Sequence, residues 1–203
     1  MAEKKLPNPK KAEIRKDVDT RLQNMTREDI ENQSKIFIDK ILQHPKYQEA
    51  NRIALFLSMP NELPTMPILD DIFARGAIPF VPQYSKGKMN MLKLLPGDLD
   101  IMVETSWKIK QHGKNLEREN ALDNGGLDLV ITPGAAFTKD GWRVGHGGGY
   151  YDAYLTKLLA LHKADPNNFR KPYILAVGFN QQIYDEVPVD AHDVRVDEVL
   201  TAS

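Results

Sequence analysis

The sequence predicts an α/β protein, a three-layer single domain built around a largely parallel central sheet. Short continuous apolar runs at 52–57, 127–132 and 173–178 read as strands covered on both faces, which is the habit of parallel sheets. Amphipathic helical stretches fall between those runs, so strands and helices alternate along the chain. Within 203 residues there is no internal repeat and no linker long enough to divide the chain, so one domain over 1–203 is expected, with 1–7 as a loose tail.

Asn8-Pro9 reads as an N-cap followed by a first-turn proline, and Ile14, Val18 and Leu22 recur every four residues as the buried stripe of a helix. Lys11 and Arg15 are also four apart and project two cations from one side, a solvated basic face unless an anion lies opposite. Thr26 caps a second helix, with Ile30, Phe37, Ile38, Ile41 and Leu42 facing inward until His44-Pro45 stops it. The strand at 52–57 runs into a polar turn, 58–62, at its carboxyl edge, where open α/β sheets bind ligands. Glu62 is there either a ligand contact or a solvated loop carboxylate.

A helix over 65–75 is closed by Gly76, and prolines that flank or interrupt the strand at 77–81 place it near an edge. Residues 82–94 read as a turn into a β-hairpin, whose Tyr84, Met89 and Met91 either line a flat apolar slot or belong to the core. The stretch 96–124, which holds Trp107, reads as loops, a short strand and a short helix. Pro133-Gly134 ends the strand at 127–132, and 135–141 leads through a turn into a glycine-rich loop. A helix over 150–162 buries Tyr151, Tyr154, Leu155, Leu158 and Leu159; strands at 173–178 and 198–200 complete the sheet.

Composition narrows the function. The 27 basic and 28 acidic residues leave a net charge of −1, which argues against nucleic acid as a partner. There is no cysteine, so thiolate catalysis and disulfides are excluded, and the five histidines show no metal-ligand spacing. The longest apolar run, 53–57, is too short to span a bilayer, and the Lys-rich amino terminus has no apolar segment of a secretory signal. A soluble cytoplasmic protein with no membrane partner is the expectation, and the balanced charge is compatible with a monomer.

The stretch 143–152 reads Arg-Val-Gly-His-Gly-Gly-Gly-Tyr-Tyr-Asp. Glycines free backbone amides to approach a ligand, and at a helix start those amides and the dipole favour an anion. No Gly-Lys follows as a Walker A loop needs, and Tyr150 stands where a dinucleotide fingerprint needs its third glycine. Arg143, the amides and Asp152 together suit a phosphate with Mg²⁺, since magnesium takes one or two carboxylates plus phosphate oxygens. Asp152 is otherwise a first-turn capping carboxylate.

Thr132-Pro-Gly-Ala-Ala-Phe137, Asp140-Gly141 and the 143–152 stretch resemble the signature of the 5-formyltetrahydrofolate cyclo-ligase family. The likeness extends to Lys11 and Arg15, Phe56-Leu-Ser-Met59 with Glu62, Pro82-Gln-Tyr84, Thr105-Ser-Trp107, Gly126-Leu-Asp128 and Val196-Asp-Glu-Val199. The resemblance implies a sugar-phosphate isomerase/CoA-transferase-like architecture and an ATP- and Mg²⁺-dependent cyclisation of 5-formyltetrahydrofolate to 5,10-methenyltetrahydrofolate. It implies catalytic roles for Arg143 and Tyr151, and ATP contacts from Lys11, Arg15, Arg143, Gly145, His146, Gly147, Gly148, Gly149, Tyr150 and Tyr151. It implies folate contacts from Leu57, Glu62, Tyr84, Met91, Trp107 and the segment His146, Gly147, Gly148, Gly149, Tyr150. Asp152 matches a Mg²⁺ ligand, and Asp190 is the best match for a second, with Asp193 and Asp197 as alternatives. A non-catalytic folate- or nucleotide-binding relative is the rival reading.

Overall fold

The computed structural model describes residues 8–59, 62–85, 87–106 and 108–203. Its helices are α1 (Pro9–Gln23), α2 (Arg27–Gln43), α3 (Pro45–Glu49), α4 (Met66–Ala74), α5 (Asp98–Ile101) and α6 (Tyr150–Ala164). Its strands are β1 (Arg52–Leu55), β2 (Ile78–Ser85), β3 (Lys88–Lys93), β4 (Val103–Glu104), β5 (Lys110–Gln111), β6 (Leu129–Thr132), β7 (Ala136–Thr138), β8 (Arg143–Val144), β9 (Tyr173–Val177), β10 (Ile183–Tyr184) and β11 (Glu198–Leu200).

Six strands form the central sheet in the order β11-β9-β6-β1-β2-β3, parallel throughout except for the antiparallel β2–β3 hairpin at one edge. The apolar runs are strands because helices cover both faces. Ile53 and Leu55 pack with Phe37 and Ile41 of α2 and Ile68 and Ile72 of α4. Ala54 and Val130 point the other way, onto Tyr154, Leu155 and Leu158 of α6. The result is an α/β domain with a mostly parallel sheet between two helical layers.

Local chemistry sets the helix ends. Thr26 and Asp29 form a reciprocal capping box at the start of α2, with Thr26 Oγ1 accepting from the Asp29 amide at 3.1 Å and Asp29 Oδ2 accepting from the Thr26 amide at 3.2 Å. Asn8 caps α1 through its side chain, which accepts from the Lys10 amide at 3.1 Å. Such caps contribute on the order of 1 kcal/mol each.

Several sequence expectations are corrected. Ile30 faces solvent on α2, 38% exposed, because the buried stripe of that helix runs through Ser34, Phe37 and Ile41 instead. β2 does lie near an edge as expected, one strand in from β3, but it continues to Ser85 rather than stopping at 81. The turn expected at 135–141 is a hairpin, β7 with β8, joined by β10 into a second sheet of three strands. Val18 of α1 packs on Ala136 and Val144 of that sheet. The stretch after β3 supplies α5 and the two-stranded β4–β5 arm.

Candidate active site

The parallel strands β1, β6 and β9 end on one side of the sheet, and the glycine loop lies over that side. β8 delivers Arg143, the loop follows, and α6 begins at Tyr150. Gly147 and Gly149 sit at φ of 110° and 65°, in the left-handed region that side chains disfavour. Gly149 is the N-cap of α6 and makes no side-chain cap bond, and the amino end of the helix dipole there favours an anion. The small residues also let arginines close on the loop. A Cβ at Gly145 would lie 3.1 Å from Arg143 Nη1, and one at Gly147 would touch the Arg15 guanidinium at 3.8 Å.

Arg143 is buried with Asp152, their side chains 2% and 10% exposed and Nη2 3.0 Å from Oδ2. The contact is off-axis, so Nη2 and Nε make no aligned hydrogen bond, while Nη1 donates to the Pro133 carbonyl at 3.4 Å. A buried guanidinium with unspent donors beside open helix amides is the chemistry of a phosphate or carboxylate site. The Asp152 side chain also accepts the Val194 amide at 3.1 Å.

These groups line one end of a cavity of about 430 Å³. Leu57, Glu62, Tyr84, Ile109, Tyr150 and Tyr151 form its other walls. Tyr84 and Tyr150 meet edge-on at 5.0 Å. Glu62 accepts the Met59 amide at 2.8 Å and stands 3.7 Å from His146 Nε2. Burial raises the carboxyl pKa of Glu62 against the opposing pull of that amide. Burial, then the nearby Arg143 charge, lowers that of His146, so at neutral pH their contact is not an ion pair. Burial also raises the phenols, Tyr84 to about 12 and Tyr151 well above the ordinary value, which keeps both as neutral hydrogen-bonding groups. A second cavity of about 300 Å³ shares Phe56, Met59, Glu62, Pro133 and His146 and extends toward Asp19, Leu22 and Gln182.

Of the residues the sequence singled out, Leu57, Glu62, Tyr84, Arg143, Gly145, His146, Gly148, Gly149, Tyr150, Tyr151 and Asp152 all line the larger cavity. Gly147 lies on the loop beside Arg15, whose Nε donates to the Gly145 carbonyl at 2.7 Å. Met91 is a correction: it is fully buried in the core between the sheet and α6 and lies behind the wall that carries Tyr84. Trp107 lies outside the described residues. Lys11 is no solvated cation, being 7% exposed and ion-paired to Asp190 at 2.8 Å and to Asp193. Phe56, Met59, Pro82, Ile109 and Pro133 also line the cavity, although no site role was expected of them.

Asp152 offers hard oxygen beside the glycine amides, which suits one carboxylate ligand of a magnesium–phosphate complex. Asp190 stands apart from that cavity, with its oxygens held by Asn8 Nδ2 at 3.0 Å and by Lys11. The ligand atoms of Asp190, His192 and Asp193 lie within 4.8 Å of one another, but the Lys11 ammonium already pairs with both carboxylates and offsets one of their two charges. Asp197 accepts the Ile174 amide at 2.7 Å, at the opposite, amino end of β9. Among the described residues no helix is long and apolar enough to cross a membrane.

Residues 7–202 match the model of the 5-formyltetrahydrofolate cyclo-ligase family. A 5-formyltetrahydrofolate cyclo-ligase of Mus musculus is 40% identical over 95% of this chain and 94% of its own length. A probable 5-formyltetrahydrofolate cyclo-ligase of Caenorhabditis elegans is 31% identical over 94% of this chain and 91% of its own. Among solved structures, the 5,10-methenyltetrahydrofolate synthetase of Aquifex aeolicus superposes with a TM-score of 0.74 at 23% identity, covering 95% of this chain and 89% of that one. At that identity the likeness speaks for the fold.

Proposed function

The chain belongs to the 5-formyltetrahydrofolate cyclo-ligase family, and we propose that its larger cavity cyclises 5-formyltetrahydrofolate to 5,10-methenyltetrahydrofolate while ATP becomes ADP and phosphate. One observation carries this assignment of cavity to chemistry: a single space joins an anion-holding end, with Arg143 and the open amides of α6, to an aromatic end bearing a carboxylate, with Tyr84, Tyr150 and Glu62. A reaction between a nucleotide phosphate and a flat heteroaromatic folate needs both ends within reach of each other.

The formyl oxygen attacks the γ-phosphorus and ADP leaves, giving a phosphorylated iminium. The folate N10 then attacks the formyl carbon, which closes the ring; N10 gives up its proton to solvent, the C–O bond to phosphate breaks, and the methenyl amidinium is left. Oxide is a poor leaving group and phosphate a good one, so the protein's task is positioning and charge neutralisation. Arg143 neutralises the transferring phosphoryl group through its unpartnered N–H groups, and the amides at Gly148, Gly149 and Tyr150 hold it in line. Tyr151, neutral because burial raises its phenol, supplies a hydrogen bond at the reacting end. Glu62 is suited to accept from the pterin amino and ring N–H groups.

Arg15 serves the nucleotide by fixing the loop through Gly145. Lys11 reaches phosphate only by exchanging its carboxylate partners, Asp190 and Asp193. Asp152 would hold Mg²⁺, and the ion would supply further charge neutralisation on phosphate oxygens; Asp190, the second residue proposed for it, would have to release Asn8 and Lys11 and move toward the cavity.

Mixing the protein with 5-formyltetrahydrofolate and MgATP should produce the methenyl chromophore together with one ADP per product. No absorbance change at substrate-level protein concentration, or ADP release that does not depend on the folate, would overturn the assignment.

A further inference from the structure

The β4–β5 arm carries Ile109 to the cavity although most of the arm lies outside it. Its base is locked. The Asp98 carboxylate receives Arg118 Nε at 2.9 Å and Nη2 at 2.6 Å, the Leu95 amide at 2.9 Å and His112 Nε2 at 3.1 Å. The Arg118 guanidinium is the main reason the Asp98 carboxyl is held far below the usual carboxylate range.

From that fixed base the arm reaches β2 through two glutamines in opposite directions. Gln83 Nε2 donates to the His112 carbonyl at 3.1 Å. Gln111 Oε1 accepts the Tyr84 amide at 2.9 Å, and Gln111 Nε2 donates to the Tyr84 carbonyl at 3.2 Å. β1 pairs with β2 only as far as Phe80, so among the described residues no strand pairs with the last residues of β2 on that side. The buried Gln111 side chain supplies the donor and acceptor that a neighbouring strand would have given Tyr84.

We propose that Gln111 is a positioning residue: it holds Tyr84, and through it the Tyr84–Tyr150 aromatic wall, in register for the folate rings. The inference rests on the reading that this wall receives the folate. Glutamine is matched to the task. Asparagine is one methylene too short to reach both backbone groups, and glutamate keeps the acceptor for the Tyr84 amide but sets an oxygen against its carbonyl.

The test joins a kinetic double-mutant cycle to amide exchange. Gln111→Ala should raise the KM for 5-formyltetrahydrofolate about tenfold and leave the KM for ATP within about twofold, as expected from two lost hydrogen bonds worth about 1 kcal/mol or less each. In a Tyr84→Ala background the same substitution should change the folate KM by less than about twofold, because its effect passes through Tyr84. Additive effects, or an equal rise for ATP, overturn the proposal. Hydrogen exchange at the Tyr84 amide should be at least about tenfold faster in Gln111→Ala, and unchanged exchange overturns the clamp itself. If Gln111→Ala fails to fold, Gln111→Glu carries the test: a protected Tyr84 amide with a folate KM raised severalfold supports the proposal, and an unchanged KM overturns it. A wild-type protein that makes no methenyl product refutes the functional reading, while amide exchange still decides the clamp.

Discussion

Asp152→Asn separates two roles that one carboxylate combines. Asparagine keeps the shape and the oxygen that accepts the Val194 amide, and replaces the charged oxygen facing Arg143 with a neutral NH2 group. At the observed 3.0 Å, an effective dielectric of about 20 gives an attraction of roughly 5 kcal/mol. Breaking buried pairs typically costs about 3–5 kcal/mol, since the surviving charge is left without compensation. A loss of about 3 kcal/mol should lower the Tm by roughly 6–12 °C for a chain of this size. Metal-free ADP offers Arg143 a replacement anion and should restore more than half of that loss in the variant. Adding Mg²⁺ should then stabilise the wild type further but not the variant. Thermal unfolding with and without ADP and Mg²⁺ reads all three effects. A Tm within about 2 °C of wild type would refute the dependence of Arg143 on Asp152. Equal increments from Mg²⁺ in both proteins would refute Asp152 as the metal ligand.

Other substitutions test neighbouring parts of the site. Arg15→Ala removes the bond to the Gly145 carbonyl and should raise the KM for ATP about tenfold, with kcat within about threefold; an equal rise in the folate KM would count against its place on the nucleotide side. Glu62→Gln should be the more stable protein at neutral pH. The raised folded pKa of Glu62 means its stability contribution is complete below the unfolded value of about 4.3 and is lost as pH rises through the folded value, a loss glutamine does not suffer. Urea unfolding across that window should show the gap opening as pH rises, while the folate KM of the variant increases. Gln182→Ala removes bonds to the carbonyls of Gly134 and Ala135, at 2.8 and 3.0 Å, and to the Phe179 amide at 2.8 Å. Calorimetry should find a loss of about 3 kcal/mol, because all these groups are buried.

The parallel strands were legible because a strand covered on both faces has to be apolar at every position, as Ile53, Ala54 and Leu55 are. The second sheet was not: β7, β8 and β10 are two or three residues long, too short for any period to register. The glycine loop declared its chemistry because its cation, amides and carboxylate are contiguous. Phe56, Ile109 and Pro133 gave no such signal, since an apolar residue at a cavity wall looks locally like one in the core. Met91 shows the converse: the alternation of the hairpin identified the correct face but not the depth. Lys11 looked like a solvated cation because its partners lie far along the chain, and only the fold brings them together.

The separation of those partners has a consequence for biosynthesis. Lys11 meets Asp193, and Asn8 meets Asp190, across 182 residues in each case. At about 5–20 residues per second, the first helix is synthesised roughly 10–40 s before its partners. Through that interval α1 lacks the carboxylates that tether it, and its Arg15 is the side chain that grips Gly145. The tether through which α1 brings Arg15 to the loop is therefore among the last contacts to form, its carboxylates being translated after β1 to β10 and just before the final edge strand, β11.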